Sequence, residues 1–305
     1  MVIVNWNRRE LLLEALASCF LSNWTNLDVI VVDNGSSDGS VEAVREAFPE
    51  TVLIVNEHNL GFARGSNQGF ARAVSDGADY VLFLNNDATL DSNAIPAMVQ
   101  LLGERPESGA VAPYIFYHDR RDVIWYGGGI VAFWRGRIAH RHIRRKFVLV
   151  EHQPAETDYL TGCVFMARIA ALEPFKGFDT SLGLYSEDVD LSLKLRREGW
   201  RLWVTPEAQA YHRVSASAGG ELSPFKAFHR GRSNALLVKR YAKWWEFPTL
   251  AVCGVLGLKF ISLKLWLKGR PRTVLALWRG IVNGLFNGRI PAIYRLKTET
   301  NSDNA

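Results

Sequence analysis

Four polar clusters in this sequence stand where an apolar run stops or a helix begins. Asp33 closes DVIVVD, Asn85-Asn86-Asp87 follows YVLFL, Glu187-Asp188 heads a helical stretch, and His212 ends a short β-like run. In open α/β sheets ligands bind outside the carboxyl ends of the strands, so polar groups at those ends are candidates for chemistry. Asp33 can accept a hydrogen bond from a base or ribose, or simply cap the turn at Gly35. Asp87 can hold a hard divalent cation, which takes one or two protein carboxylates and fills its shell with phosphate and water. The competing reading of Asn85-Asn86-Asp87 is a turn and helix start. Glu187 and Asp188 suit the positive end of a helix dipole. Capping accounts for one acid; two adjacent acids followed by Asp190 point to a general base. His212 alone reads as structural.

These groups need elements to carry them, and the first hundred residues supply an alternation. Val2–Trp6, Asp28–Asp33, Thr51–Asn56 and the run from Tyr80 read as strands. Helical spacing covers Arg8–Leu21, Val41–Phe48 and the stretch from Asn59-Leu60-Gly61 to about Ser75. The turn Asn34-Gly35-Ser36-Ser37-Asp38-Gly39 permits tight backbone bends and helix caps. Strands and helices in this order predict βαβ units and a parallel sheet. Ala88-Thr89-Leu90 leads towards a helix at Asp91, and Ala110–Tyr117 is a further strand. From there to about Arg145 the pattern is irregular, and the basic cluster HRHIRRK (140–146) reads as a solvated loop. Tyr159–Ala167 reads as a strand interrupted at Gly162, Ser186–Gly199 as a helix, and Arg201–Thr205 and Gln209–His212 as two short strands.

The balance changes near residue 225. Residues 1–225 hold 21 Lys and Arg against 28 Asp and Glu, whereas 226–305 hold 15 against 3, so the net +5 belongs to the C-terminal part. Phe225–Tyr241 reads as a basic helix. Phe247–Leu258 is apolar, but Lys259 and Lys264 interrupt it before the ~20 residues of a membrane span. Trp244, Trp245, Trp266 and Trp278 sit beside Lys and Arg, as at a bilayer interface. The favoured expectation is helices lying on or re-entering the bilayer, ahead of a span over 247–267 or helices packed on the core. An acidic first part and long apolar runs exclude a nucleic-acid binder. Cys19, Cys163 and Cys253 show no CxxC spacing, so zinc and a disulfide framework are not expected, and a reducing compartment is. MVIVNWN is too short an apolar run for a secretory leader, so a cytoplasmic catalytic part is expected.

Taken in order, VIVNWN, VVDNGSSDGS, NLGFARGSNQGF, LFLNNDATL, FDTSLGLYSEDVDLSLKLRREGW and His212 resemble the family 2 glycosyltransferases, above all the branch of rhamnosyl- and galactofuranosyltransferases of bacterial surface polysaccharides. The resemblance covers roughly residues 1–215. It implies an α/β fold of the GT-A type with a mostly parallel sheet, followed by a basic, apolar helical segment. The implied organisation is a catalytic domain over 1–222, with a nucleotide half to about 117 and an acceptor half over 118–222. A membrane-associating segment at 223–297 and an unstructured tail at 298–305 complete it.

The resemblance also implies roles. Asp33 receives a pyrimidine, and Asp87 stands for the DxD motif, binding Mg²⁺ or Mn²⁺ on the donor diphosphate with Asn85 near the ribose. Asp188, beside Glu187, is the catalytic base, and His212 is a further metal ligand. Asn5, Asn59, Gly61, Arg64, Asn67 and Asn86 lie on the nucleotide-sugar side, and Gly162 lines the donor–acceptor pocket. Asn85 replaces the first acid of the simplest DxD, leaving fewer carboxylates for the cation. The implied reaction is an inverting transfer from a UDP- or dTDP-sugar to a lipid-linked or saccharide acceptor at the cytoplasmic face of the cell membrane. A nucleotidyltransferase would carry a Gly-rich loop with Lys after the first strand, where this chain has Asn5-Trp6-Asn7-Arg8. A catalytically silent membrane scaffold of the same fold is the alternative from another class.

Overall fold

The computed structural model describes residues 1–150, 152–214, 222–286 and 288–295. In chain order the strands and helices are β1 (Val2–Asn5), α1 (Arg9–Phe20), β2 (Ile30–Asp33), α2 (Ser40–Ala47), β3 (Val52–Val55), α3 (Phe62–Ser75), β4 (Tyr80–Asn85), β5 (Ala88–Leu90) and α4 (Ala94–Glu104). Then come β6 (Ser108–Tyr117), β7 (Arg120–Tyr126), β8 (Gly129–Ala132), β9 (Arg137–His140), β10 (Ala155–Glu156), β11 (Val164–Arg168), α5 (Ile169–Leu172), α6 (Glu187–Arg197) and β12 (Arg201–His212). The chain closes with α7 (Pro224–Tyr241), α8 (Phe247–Leu267) and α9 (Pro271–Leu285).

The main sheet runs β10-β12-β6-β11-β4-β1-β2-β3, with β5 paired to β12 and β7 to β6. The predicted parallel half is present: β3, β2, β1 and β4 are parallel neighbours. Continuous apolar runs in β2 and β4 are buried on both faces, as strands covered by helices on each side require. The other half is mixed, because β11 enters antiparallel between β4 and β6 while β12 lies parallel to β6. The mixed half therefore joins the parallel half at β4, whose carboxyl end carries Asn85.

Glycines in NLGFARGSNQGF set how closely α3 lies on the sheet. A Cβ on Gly69 would stand 2.3 Å from Val2 Cγ1, and one on Gly65 2.9 Å from Val4 Cγ1. Gly69→Ala is expected to cost about 1–3 kcal/mol by forcing helix and strand apart, measured as a lower urea midpoint at unchanged slope. An unchanged midpoint would mean that α3 shifts freely on β1.

Several local expectations are corrected. Ala88–Leu90 does not run into a helix; it forms β5 against Tyr211 and its neighbours in β12, and α4 begins only at Ala94. The stretch after Tyr117 is ordered as β7 and the β8–β9 hairpin, short strands whose sequences lack a clean period-two alternation. Gly162 lies before β11, which starts at Val164. The two short strands expected after Gly199 are one strand, β12, with a register shift between Thr205 and Gln209.

The C-terminal helices also differ from expectation. Lys259 and Lys264 interrupt the apolar run but not the helix: α8 runs 21 residues through both, over the range kept as the alternative span; a lysine stem is compatible with helix and can keep its charge in a polar layer. The basic helix α7 does not lie on a surface. Leu237 and Tyr241 join the main core, while Ala227 and Phe228 pack under α9 against Ala276 and Leu277. Two of its cations are engaged internally: Arg232 donates to the Leu182 carbonyl at 2.7 Å, and Arg240 reaches Asp190 at 2.9 Å, while Arg230 and Lys239 are exposed. The tail expected at 298–305 lies outside the described residues.

Candidate active site

Three adjacent strand ends build the first part of the site. Asn5, ending β1, donates from Nδ2 to Asp33 Oδ2 at 3.0 Å, and Asn86 Nδ2 donates to Asn5 Oδ1 at 2.7 Å. Asp33 is buried and also accepts from Ser36 N and Ser36 Oγ, both at 2.7 Å. The turn-capping reading of Asp33 is thus present in the structure. A carboxylate has about four acceptor positions, so capping leaves room for a base or ribose donor. Gly35 takes φ +72°, and a Cβ there would stand 2.9 Å from His58 Cα, so this turn closes directly on the loop before α3.

That loop holds the next group. Gly61 N donates to Asn59 Oδ1 at 2.8 Å, and Asn34 Nδ2 donates to the Gly61 carbonyl at 3.3 Å. Asn59 and Gly61 are therefore tied to the residue following Asp33. Arg64 is exposed on the first turn of α3. Asn67 is not on this surface: its amide is taken up by the Phe178 backbone, donating to O at 2.9 Å and accepting from N at 2.7 Å. The family resemblance implied a ligand contact for Asn67, but the segment before α6 takes up its amide.

Asp87 and His212, 125 residues apart in sequence, meet with Oδ1 and Nε2 3.1 Å apart, both side chains buried. Antiparallel pairing of His212 with Ala88 and the Arg213 N–H on the Asp87 carbonyl at 2.9 Å hold them there. Arg213 is itself anchored by two 2.9 Å bonds to Glu14. Cis ligands of an octahedral cation with ~2.1 Å bonds stand ~3 Å apart, so this oxygen and nitrogen fit a hard divalent ion that completes its shell with phosphate and water. Among the described residues no group of three or more His, Cys, Asp or Glu is gathered for a metal. The fit rests on the pair.

Asp188 lies on the other side of a two-residue bridge. Cys163 O accepts from Asn85 N at 2.8 Å, and Gly162 N donates to Asp188 Oδ2 at 2.8 Å. Asp188 Oδ1 accepts from Val189 N at 2.8 Å. Burial raises its pKa, and the Gly162 and Val189 amides oppose that rise. Glu187 is pushed up to about 8, chiefly by burial and then by the Asp188 charge. Both acids are thus raised, and Glu187 at about 8 keeps its proton near neutrality, while the Gly162 and Val189 amides favour the charged form of Asp188. Tyr185 and Ser186, at φ +70° and +68°, precede them in the left-handed region, where strain accompanies a fixed functional turn.

Some participants were not legible in sequence. Trp125 packs edge-on between His140 and His212, with ring centroids at 4.6 and 4.5 Å. His140, read as part of a solvated basic loop, has its Nδ1 3.1 Å from the Trp125 carbonyl, and burial lowers its pKa to about 4. It is therefore a neutral packing group. The apolar run VIWY (123–126) in RRDVIWY was the available signal for β7.

An open α/β sheet with a mixed second half gathers these polar groups at the carboxyl ends of its strands, where such sheets bind ligands. The family model of glycosyl transferase family 2 matches residues 1–173, and the chain belongs to that family. It is 27% identical over 252 residues to an N-acetylglucosaminyl-diphospho-decaprenol L-rhamnosyltransferase of Mycobacterium tuberculosis, covering 76% of this chain and 81% of that protein. A poly-beta-1,6-N-acetyl-D-glucosamine synthase of Staphylococcus aureus is 23% identical over 217 residues, covering 70% of this chain and 50% of that one. Among solved structures, the mannosyltransferase PcManGT from Pyrobaculum calidifontis, in complex with GDP-Man and Mn²⁺, aligns with TM-score 0.59 at 18% identity, over 94% of this chain and 87% of the other. S. aureus TarS 1–349 in complex with UDP-GlcNAc aligns with TM-score 0.57 at 17% identity, over 93% and 80%. The fold is of the GT-A type.

Proposed function

We propose that this glycosyltransferase moves a sugar, with inversion, from a UDP- or dTDP-sugar onto a lipid-linked saccharide at the cytoplasmic face of the cell membrane, in cell-surface polysaccharide synthesis. The observation carrying this reading is the Gly162-Cys163 bridge, bonded on one side to Asn85 and on the other to Asp188. It joins a phosphate-cation site to a basic carboxylate. The rhamnosyltransferase relative supports a lipid-linked acceptor and makes dTDP-rhamnose the first donor to try.

In this reading Asp33 and Asn5 receive the base, and Asn59, Gly61, Arg64, Asn85 and Asn86 line the donor. Asn67 supports the site from behind through Phe178. Asp87 and His212 hold a divalent ion, Mg²⁺ or Mn²⁺, which when bound supplies charge neutralisation to the diphosphate. Asp188 takes the proton of an acceptor hydroxyl as that oxygen bonds to the anomeric carbon. The bond from that carbon to the diphosphate oxygen breaks, and the electron pair leaves on the nucleotide. Glu187, keeping its proton, adds no second negative charge beside the base. Residues 1–222 form the catalytic domain in this assignment, with the donor held by about 1–117 and the acceptor by 118–222; within 223–297, α7 braces that domain and the part after it is the membrane-associating segment.

A thermal-shift screen of nucleoside diphosphates with Mn²⁺, on wild type and Asp87→Ala, tests the donor half. A ligand that binds only the native state stabilises it by about 2.7 kcal/mol at a hundred times Kd, and Tm rises accordingly. UDP or dTDP is expected to stabilise wild type and not the variant. No shift with any pyrimidine diphosphate would sink the proposal and favour the silent scaffold.

A further inference from the structure

Helix α8 buries none of its residues, yet it does not stand away from the protein. Leu250, Gly254, Leu258, Ser262 and Leu265 form one stripe at helical spacing and are its partly covered residues. At one end of this stripe Leu250 and Gly254 meet Gly136 in the β8–β9 hairpin. Leu258 touches the cluster beneath α7 and α9, and Ser262 accepts from Trp278 Nε1 at 3.0 Å. The opposite ridge, Val252, Leu256, Phe260, Leu263 and Leu267, is wholly apolar, with Phe260 69% and Leu267 70% exposed. At ~100° per residue Lys259 and Lys264 fall on opposite flanks of that ridge. On α9, Leu275, Trp278, Val282 and Leu285 continue the exposed apolar surface, and Phe286 follows them.

The connections fix which side of a bilayer each end of α8 can occupy. Before it, α7 is built into the catalytic core. After it, only residues 268–270 intervene before α9, which lies against α7 at backbone distance. A Cβ on Gly280 would stand 2.0 Å from Phe228 O, and one on Gly284 2.4 Å from Arg232 O. Both ends of α8 are therefore held on the catalytic side. At ~1.5 Å per residue its 21 residues are long enough to cross a hydrocarbon core, but crossing would carry α9 away from α7.

We propose that α8 and the outer face of α9 form a monotopic platform, seated in one leaflet of an anionic bilayer with both ends of α8 on the catalytic side. The occupant follows from charge and from anchors. Lys243, Lys259, Lys264, Lys268, Arg270, Arg272 and Arg279 surround the apolar ridge against the single acid Glu246, and anionic headgroups attract such a border. Trp244 and Trp245 mark one end and Trp266 the other, at the depth where indoles sit. The inference specifies the membrane contact of the proposed function, but none of its readouts depends on sugar transfer.

Cys19 and Cys163 are buried and Cys253, in the first third of α8, is exposed, so the thiol of the platform is singled out. The full-length protein is floated with phosphatidylcholine vesicles with and without phosphatidylglycerol, and then treated with a membrane-impermeant maleimide. Phosphatidylglycerol is expected to raise binding at least about tenfold, salt to reverse the gain, and bound vesicles to protect Cys253. No flotation and undiminished Cys253 labelling would overturn the platform. For sidedness, Lys243→Cys and Lys268→Cys are made separately in Cys253→Ser, expressed in bacteria and labelled in sealed inverted membrane vesicles. Both are expected to react without permeabilisation. One reacting only after permeabilisation would show a span and overturn the monotopic arrangement. Nucleotide binding, read by thermal shift on the same protein, reports separately on the catalytic proposal.

Discussion

Asp188→Asn is expected to lower kcat for sugar transfer by about 10²–10⁴-fold, the range a positioned general base contributes, with nucleotide stabilisation by Mn²⁺ retained. The acid limb of the wild-type kcat profile is expected above the ordinary aspartate range, because burial raises Asp188. Its neighbour gives a second readout. Glu187 is raised from an ordinary 4.5 to about 8, so the folded protein holds that proton more tightly than the unfolded chain does. A proton bound preferentially by the native state makes stability fall as pH rises, here across about 4.5 to 8. Glu187→Gln is expected to reduce this slope, leaving the part that Asp188 contributes, and to melt higher than wild type at the alkaline end, by about 2–4 °C for each kcal/mol relieved. A slope unchanged in Glu187→Gln, or a kcat unchanged in Asp188→Asn, would end the assignment of this pair.

The third acid of the same stretch is expected to behave in the opposite way. Asp190 is fully buried and accepts from Arg240 Nη1 and Tyr241 Oη, each at 2.9 Å, with Lys194 Nζ 2.8 Å from its other oxygen. It fastens α6 to α7. Removing one member of a buried ion pair leaves uncompensated charge and costs about 3–5 kcal/mol. Asp190→Ala should therefore lower the urea midpoint strongly while the surviving folded protein still binds nucleotide. Asp179 also contacts both Arg240 and Lys194, at 2.8 and 3.6 Å, so Asp190→Asn should cost less than Asp190→Ala. A full-stability Asp190→Ala with lost turnover would move this residue from scaffolding to chemistry.

The contrast between Asp188 and Asp190 marks what sequence could carry. Both lie in SEDVD at the head of one helix, and composition treats them alike. Two positions apart on a helix, they face different neighbours: the Gly162 amide for one, the Arg240 guanidinium for the other. The same limit applied to Asn67, whose motif suggested a ligand and whose partner, Phe178, is 111 residues away. It applied again to His140, which a run of basic residues disguised as solvent-facing.

The sequence by itself determined the parallel half of the sheet. Buried strands are continuous apolar runs and their helices have a different period, and both are local properties. It also marked Asp33, Asp87, Glu187-Asp188 and His212 as residues at element boundaries, and set the basic, apolar C-terminal part apart from an acidic body. Only the tertiary structure decided that β11 enters antiparallel between β4 and β6, bringing Gly162-Cys163 between Asn85 and Asp188. It alone brought His212 to Asp87, and it alone made α7 a core helix whose packing with α9 constrains both ends of α8. Each of these rests on contacts between residues distant in the chain, and hydrophobic periodicity reports which face of an element is buried but not against what.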